Sequence, residues 1–204
     1  MGAPQEKSKV KSDWWKPVRE DAPEWEILPQ EAGPGEVILS KRNELGLLSN
    51  FAHTPFLFRG HTYASVEGFW QMMKFPGDIA AAEEDPRRAA SWPYTRFQVA
   101  ALYGMAAKEA GETANQKMQV LGISWLSFEG VRIEYRGKNQ HEHYQIIFEA
   151  TLAKVEQNSR VRELLLETGD LVLRPDHYVE PGAVTPASRY NEIAMKIRSQ
   201  LRAS

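Results

Sequence analysis

Apolar and polar positions fall into recognisable periods from about Glu36 onward. Val37-Ile38-Leu39 predicts a short strand, and Phe56 to Tyr63 a hairpin turning at Gly60. Ser65 to Phe75 predicts a helix ended by Pro76-Gly77. A second helix is expected from Thr95 to Gly111, with Val99, Leu102, Tyr103 and Ala106 facing inward. Trp125 to Phe128, Glu129-Gly130, and the alternation of Val131, Ile133 and Tyr135 read as another hairpin. Tyr144, Phe148, Thr151, Leu152 and Val155 recur at helical spacing between Glu142 and Gln157. Val161 to Thr168 predicts a shorter helix, closed by Gly169 as C-cap. Leu171 to Leu173 follows as a strand. The final helix has Thr185 as N-cap, Pro186 at its first position, and Tyr190, Ile193, Ala194, Ile197 and Leu201 inward. No internal repeat is visible. The pattern is that of a helix-rich α+β fold with small β hairpins.

Residues 1–35 follow no such period. Five of the twelve prolines (Pro4, Pro17, Pro23, Pro29, Pro34) lie there, and proline excludes a continuous regular element. Trp14, Trp15 and Trp25 are costly to leave in water. The expectation is an extended arm over 1–35 whose tryptophans dock on the domain of 36–204, with the first dozen residues mobile. An aromatic arm gripping a partner is the other reading.

Composition narrows the class. The chain has 204 residues, 42% hydrophobic and 25% charged, which is ordinary for a globular domain. No apolar run approaches the roughly 20 residues of a membrane helix, and the opening residues lack the apolar stretch of a signal peptide. The expectation is a cytoplasmic protein without membrane association. Cysteine is absent, which excludes disulfides, thiolate nucleophiles and cysteine-ligated metals. A net charge of -2 argues against charge-driven, sequence-blind nucleic-acid binding.

Candidate chemistry centres on the helix from Ser65 to Phe75. Glu67, Gln71 and Lys74 stand at i, i+4 and i+7, one face of a helix whose other positions are bulky and apolar. Two readings fit this stripe. It is an ion pair on a half-exposed helix, or a buried polar face turned toward an internal network or a ligand. In a ligand pocket, burial would raise the carboxylate pKa and lower the ammonium pKa, as acid–base and Schiff-base chemistry requires. Upstream, Ser49-Asn50 either closes a turn or supplies donors and acceptors beside this helix.

Other motifs carry less. His141-Glu142-His143 lacks His-Glu-x-x-His spacing and reads as a solvated helix start rather than a metal pair. His53 and His61 are candidates for a pocket mouth or plain surface. Glu83 to Arg88 reads as a solvated loop, its arginines joining Arg42, Arg59 and Arg96 as the pool for a pyrophosphate contact. Gly104 and Gly111 suit close helix packing. No P-loop, Gly-x-Ser-x-Gly or Gly-x-Gly-x-x-Gly element occurs.

The run Gly46-Leu47-Leu48-Ser49-Asn50-Phe51, followed by Tyr63-Ala64-Ser65-Val66-Glu67-Gly68-Phe69-Trp70-Gln71-Met72-Met73-Lys74-Phe75, resembles the NADAR (YbiA-like) family. Ala150 to Asn158, Leu164 to Gly169 and Met195 to Leu201 continue the resemblance, which spans roughly Glu36 to Leu201. It implies a single YbiA-like domain that hydrolyses N-glycosidic bonds, releasing ADP-ribose from guanine-type bases or cleaving related ribosyl N-glycosides. Carried over by motif, Glu67 would be the catalytic carboxylate. Lys74 would be its cationic partner, either protonating the leaving base or capturing the ring-opened sugar as a Schiff base. Ser49, Asn50, Phe51, Trp70 and Gln71 would bind substrate, and Asp176 would take the family's acidic position. The Tyr-Trp-Gly that follows this acid in many members is absent here, where Asp176-His177-Tyr178-Val179 leads into a Pro-Gly stretch. The resemblance implies metal-independent chemistry, no cofactor, and a substrate that is free or linked to nucleic acid. A non-catalytic module binding ADP-ribose or a nucleotide is the alternative.

Overall fold

The computed structural model describes residues 12–18, 21–77, 85–136, 140–178 and 185–203. Its first elements in chain order are β1 (Glu36–Ile38), β2 (Phe56–Phe58), β3 (His61–Tyr63), α1 (Val66–Met72), α2 (Arg96–Ala100) and α3 (Gly104–Val120). Then come β4 (Trp125–Phe128), β5 (Val131–Glu134), α4 (His141–Gln157), α5 (Ser159–Glu167), β6 (Val172–Arg174) and α6 (Tyr190–Ala203). Short 3₁₀ turns cover Ser12–Trp15, Pro29–Glu31, Glu44–Leu48, Pro86–Ala89 and Pro186–Arg189. The architecture is helix-rich α+β, and the strands of the described residues form three two-stranded pairs. Two compact units are formed, one from residues 1–49, 159–178 and 191–204, the other from 50–158 and 179–190.

In the first unit, β1 and β6 pair in parallel, with Val37 opposite Leu173. Both side chains are fully buried, as are Leu39, Leu45, Leu164, Leu165, Ile193 and Ile197. Gly169 adopts φ 57°, the left-handed conformation expected of a glycine C-cap after α5. Arg198 of α6 donates to Thr168 Oγ1 at 2.6 Å and to Leu171 O at 2.9 Å, satisfying groups left open at that helix end. The tryptophans divide. Trp14 is buried with its Nε1 donating to Glu44 Oε1 at 2.8 Å, and Trp15 donates to Glu36 O at 2.9 Å. Trp25 is 59% exposed and does not dock. The expectation of mobility at the amino terminus concerns residues 1–11, outside the described residues.

In the second unit, two hairpins turn on Arg59-Gly60 and Glu129-Gly130. Their φ values of 47° and 79°, then 48° and 79°, are positive at both central residues, as a two-residue type I′ turn demands. Phe56, Tyr63 and Phe69 cluster, and Phe128 meets Phe69 edge-on at 5.3 Å. The single helix expected from Thr95 to Gly111 is instead two. Helix α2 ends at Ala100, and α3 starts at Gly104, whose φ of 59° turns the chain. Leu102 is consequently half-buried, and Tyr103 and Ala106 exposed. The inward face of α3 is Ala107, Ala110, Gly111, Ala114 and Met118. Helix α4 buries Phe148, Thr151 and Val155 as expected, while Tyr144 and Leu152 are half-buried.

The expected solvated loop at 83–88 needs correction within its described part. Asp85 and Arg87 are buried as an ion pair at 2.7 Å. The Arg87 guanidinium lies 4.2 Å from the Trp125 ring centroid and donates to Ser127 Oγ at 2.8 Å. A charge pair saturated with hydrogen bonds tolerates burial, which pattern alone does not reveal.

Candidate functional site

Helix α1 has seven residues, too short to be stable by itself, and its ends are fixed by the rest of the second unit. Ser65 caps it. Its hydroxyl accepts from Gly68 N at 2.9 Å and donates to Leu102 O at 2.9 Å. The Glu67 amide, another open donor of the first turn, reaches Asn50 O at 3.0 Å. Asn50 is held in turn by its side-chain donation to Ala187 O at 2.8 Å, and Phe51 O accepts from Gly104 N at 2.9 Å. Gly68 lets the backbones close up, because a Cβ there would stand 2.9 Å from Val99 O.

This anchoring places the polar stripe in the interior. Every residue of α1 is buried, with Glu67 at 7% exposure and Lys74, just beyond the helix, at 2%. The half-exposed ion pair is therefore ruled out. Gln71 Nε2 donates to Glu67 Oε1 at 2.6 Å, orienting the carboxylate. Gln71 packs onto Gly111 of α3, where a Cβ would overlap its amide group. Lys74 Nζ lies 3.5 Å from Gly111 O and 4.6 Å from the Trp70 ring centroid. Burial lowers the Lys74 pKa from 10.5 to about 8, with Glu67 pulling it upward and Arg136 adding to the fall.

Against the Trp70 ring packs a histidine that the sequence pattern places on a solvated helix start. His143 of α4 is fully buried, its ring centroid 4.9 Å from that of Trp70. Tyr135 meets it edge-on at 6.1 Å. Burial, then the charge of Lys74, lowers the His143 pKa from 6.5 to about 3, so the ring is neutral at physiological pH. Neither ring nitrogen has a hydrogen-bond partner among the described residues, nor does Gln71 Oε1. Each such buried group costs about 1–3 kcal/mol. The expected solvated helix start is thus wrong for His143. The spacing 143, 147, 151 with Ile147 and Thr151 carries the signal, since those positions share the buried face of α4.

The remaining site candidates are placed as follows. Asn50, Glu67, Trp70, Gln71 and Lys74 come together in the second unit, joined by Gly111, Tyr135 and His143. Phe51 is half-buried beside Asn50. Ser49 belongs to the first unit, buried, as the C-cap of the 3₁₀ turn at Glu44–Leu48, with its amide donating to Gly46 O at 3.0 Å. Asp176 also belongs to the first unit, buried and paired with Lys41 and His177. Its burial raises the carboxyl pKa, but hydrogen bonds from His177 and Lys41 outweigh this and hold it below the usual range. His53 and His61 are exposed, His53 stacked on Tyr103 at 4.4 Å. The arginine pool is engaged. Arg42 holds Glu26, Arg59 holds Glu129 and Glu149, Arg88 donates to Gly77 O, and Arg96 donates to Phe75 O and Ser127 O. Among the described residues, no group of three or more His, Asp or Glu is arranged to hold a metal ion, and no helix is long and apolar enough to cross a membrane.

Among solved structures, the chain is similar to the NMR structure of the E. coli protein YbiA. The two share 22% identity and a TM-score of 0.49, over 80% of this chain and 82% of that one. No family model and no curated protein matches.

Proposed function

We propose that the chain is an N-glycosyl hydrolase acting on an ADP-ribosylated nucleobase of guanine type, or on a related ribosyl N-glycoside. The observation that carries this reading is the buried stripe of carboxylate, amide and ammonium on the segment whose sequence resembles the NADAR motif. Burial lowers the pKa of Lys74 to about 8, where an ammonium serves as a proton donor near neutral pH, and the neighbouring carboxylate and amide set it apart from Lys154, a buried lysine of α4 that burial lowers to about 7.

In this mechanism the C1′–N bond breaks and its electron pair goes to the base nitrogen. The positive charge that develops on C1′ is offset by the Glu67 carboxylate, oriented by Gln71. Lys74 donates its proton to the leaving nitrogen. Water then adds to C1′, leaving its hydroxyl on the sugar and returning a proton to Lys74. The sum is glycoside plus water to free sugar plus free base.

The test is a panel of ADP-ribosylated guanosine and smaller ribosyl N-glycosides, with released sugar and base read by chromatography. Release from one or more of them is expected. A folded protein that binds ADP-ribose but cleaves none is a binding module and overturns the hydrolase reading.

A further inference from the structure

Glu67, Gln71 and Lys74 act on the bond that breaks, and none of them meets the phosphate of an ADP-ribosyl substrate. The arginines expected at such a phosphate are committed elsewhere, to carboxylates (Arg42, Arg59, Arg87) or main-chain carbonyls (Arg88, Arg96). Arg136 is not. It follows β5, where the two-residue period turns Ile133 and Tyr135 into the core and sends Arg136 outward. The side chain is exposed, and among the described residues it forms no ion pair. Its guanidinium lies over the Tyr135 ring, 4.9 Å from the centroid. Burial raises the pKa of the Tyr135 phenol, which is therefore neutral and leaves the charge of Arg136 uncompensated.

This charge stands beside the candidate site. Tyr135 packs on Trp70 with ring centroids 5.5 Å apart, and Lys74 Nζ is 4.6 Å from the Trp70 centroid. Two cations thus sit on one aromatic pair, and all four residues belong to the second unit. The charge of Arg136 lowers the Lys74 pKa, as one cation does to another nearby. Like charges held together cost free energy that a bound anion offsets.

We infer that Arg136 binds the 5′-phosphate of the ribose whose N-glycosidic bond is cleaved, and so selects nucleotide-type ribosyl substrates over nucleosides. The inference rests on the N-glycosyl hydrolase reading and adds a residue and a substrate feature to it. That phosphate and the scissile C1′ belong to the same ribose, which suits an exposed guanidinium beside a buried acid–base stripe. A guanidinium fork meets two phosphate oxygens at once and stays charged throughout the physiological range. The diphosphate of ADP-ribose and a ribosyl 5′-monophosphate offer it the same oxygens, whereas a nucleoside offers none.

The test takes two ribosyl N-glycosides that differ only in the 5′-phosphate and measures turnover of each by wild type and Arg136→Gln. ADP-ribose affinity is measured by calorimetry at low and high salt. The inference predicts that wild type favours the phosphorylated substrate and binds ADP-ribose less tightly as salt rises. In Arg136→Gln, ADP-ribose affinity and kcat/KM on the phosphorylated substrate fall about tenfold or more, chiefly through KM. The phosphate-free substrate is unaffected at pH 7, and Arg136→Lys recovers part of the loss. The pH–rate profile gives a second readout. Lys74 faces Glu67 on α1, Glu112 on α3, the neutral His143 on α4, and Arg136. Deleting the Arg136 charge raises the Lys74 pKa, so the falling limb of kcat/KM moves to higher pH. Equal losses on both substrates, no loss on either, or an unmoved limb overturn the role of Arg136 while leaving the hydrolase reading intact. A wild type that neither binds ADP-ribose nor cleaves any ribosyl N-glycoside overturns both. If Arg136→Gln does not fold, wild type alone decides, and equal rates on the two substrates overturn the inference.

Discussion

Lys74 carries its ammonium where water is excluded, and its proton is correspondingly loose. With the pKa lowered from 10.5 to about 8, the group is mostly protonated at pH 7 and half-protonated near pH 8. As a proton donor it must be charged, so kcat/KM is expected to fall as pH rises through about 8. A pH–rate profile checks this. A rate that rises over the same interval contradicts the donor role and assigns the neutral amine as nucleophile, the Schiff-base alternative. Lys74→Arg should abolish the falling limb and cost about 100-fold or more, because guanidinium stays protonated throughout. At this scale the sequence was informative where spacing and residue type agreed. Glu67, Gln71 and Lys74 share a face because i, i+4 and i+7 must. His143 was missed because two neighbouring polar residues, His141 and Glu142, which are exposed, masked a third that is not.

The elements around the site are short and depend on close backbone approach. Gly111 shows how narrow the margin is. Glycine to alanine within a helix ordinarily stabilises by about 1 kcal/mol. Here the new methyl would overlap the Gln71 amide, so Gly111→Ala is expected to destabilise by about 1–3 kcal/mol instead and to reduce turnover by displacing Gln71. Urea denaturation gives the sign, and a stabilised variant contradicts the packing described. Both hairpins were legible, since Arg-Gly and Glu-Gly between apolar runs demand a tight turn. The break between α2 and α3 was not. Apolar periodicity from Thr95 to Gly111 continues across it, while the backbone leaves the helix after Ala100 and is extended at Tyr103, just before the positive φ of Gly104.

On the scale of the whole molecule, the pairing that local pattern cannot reach is β1 with β6, residues 36–38 with 172–174. Each strand is three residues long, and nothing within either names its partner or a parallel direction. The amino-terminal tryptophans were legible as a group but not individually. Trp14→Ala is expected to cost about 3–5 kcal/mol, because the indole is buried and its N–H bound to Glu44. Trp25→Ala is expected to fall within about 0.5 kcal/mol of wild type, the side chain being largely exposed. Denaturant midpoints with unchanged slopes measure both, and equal losses would contradict the division of the arm.

The most direct measurement compares wild type with Glu67→Gln on ADP-ribosylated guanosine, reading free ADP-ribose under single-turnover conditions, with ADP-ribose affinity and melting temperature measured on the same preparations. Catalysis by the buried stripe predicts release by wild type, a loss of about 100- to 1,000-fold in Glu67→Gln, and ADP-ribose affinity retained by the folded variant. Release at the wild-type rate by Glu67→Gln, or a variant that loses stability while wild type neither binds nor cleaves, would contradict it and leave Glu67, Gln71 and Lys74 as an internal structural network.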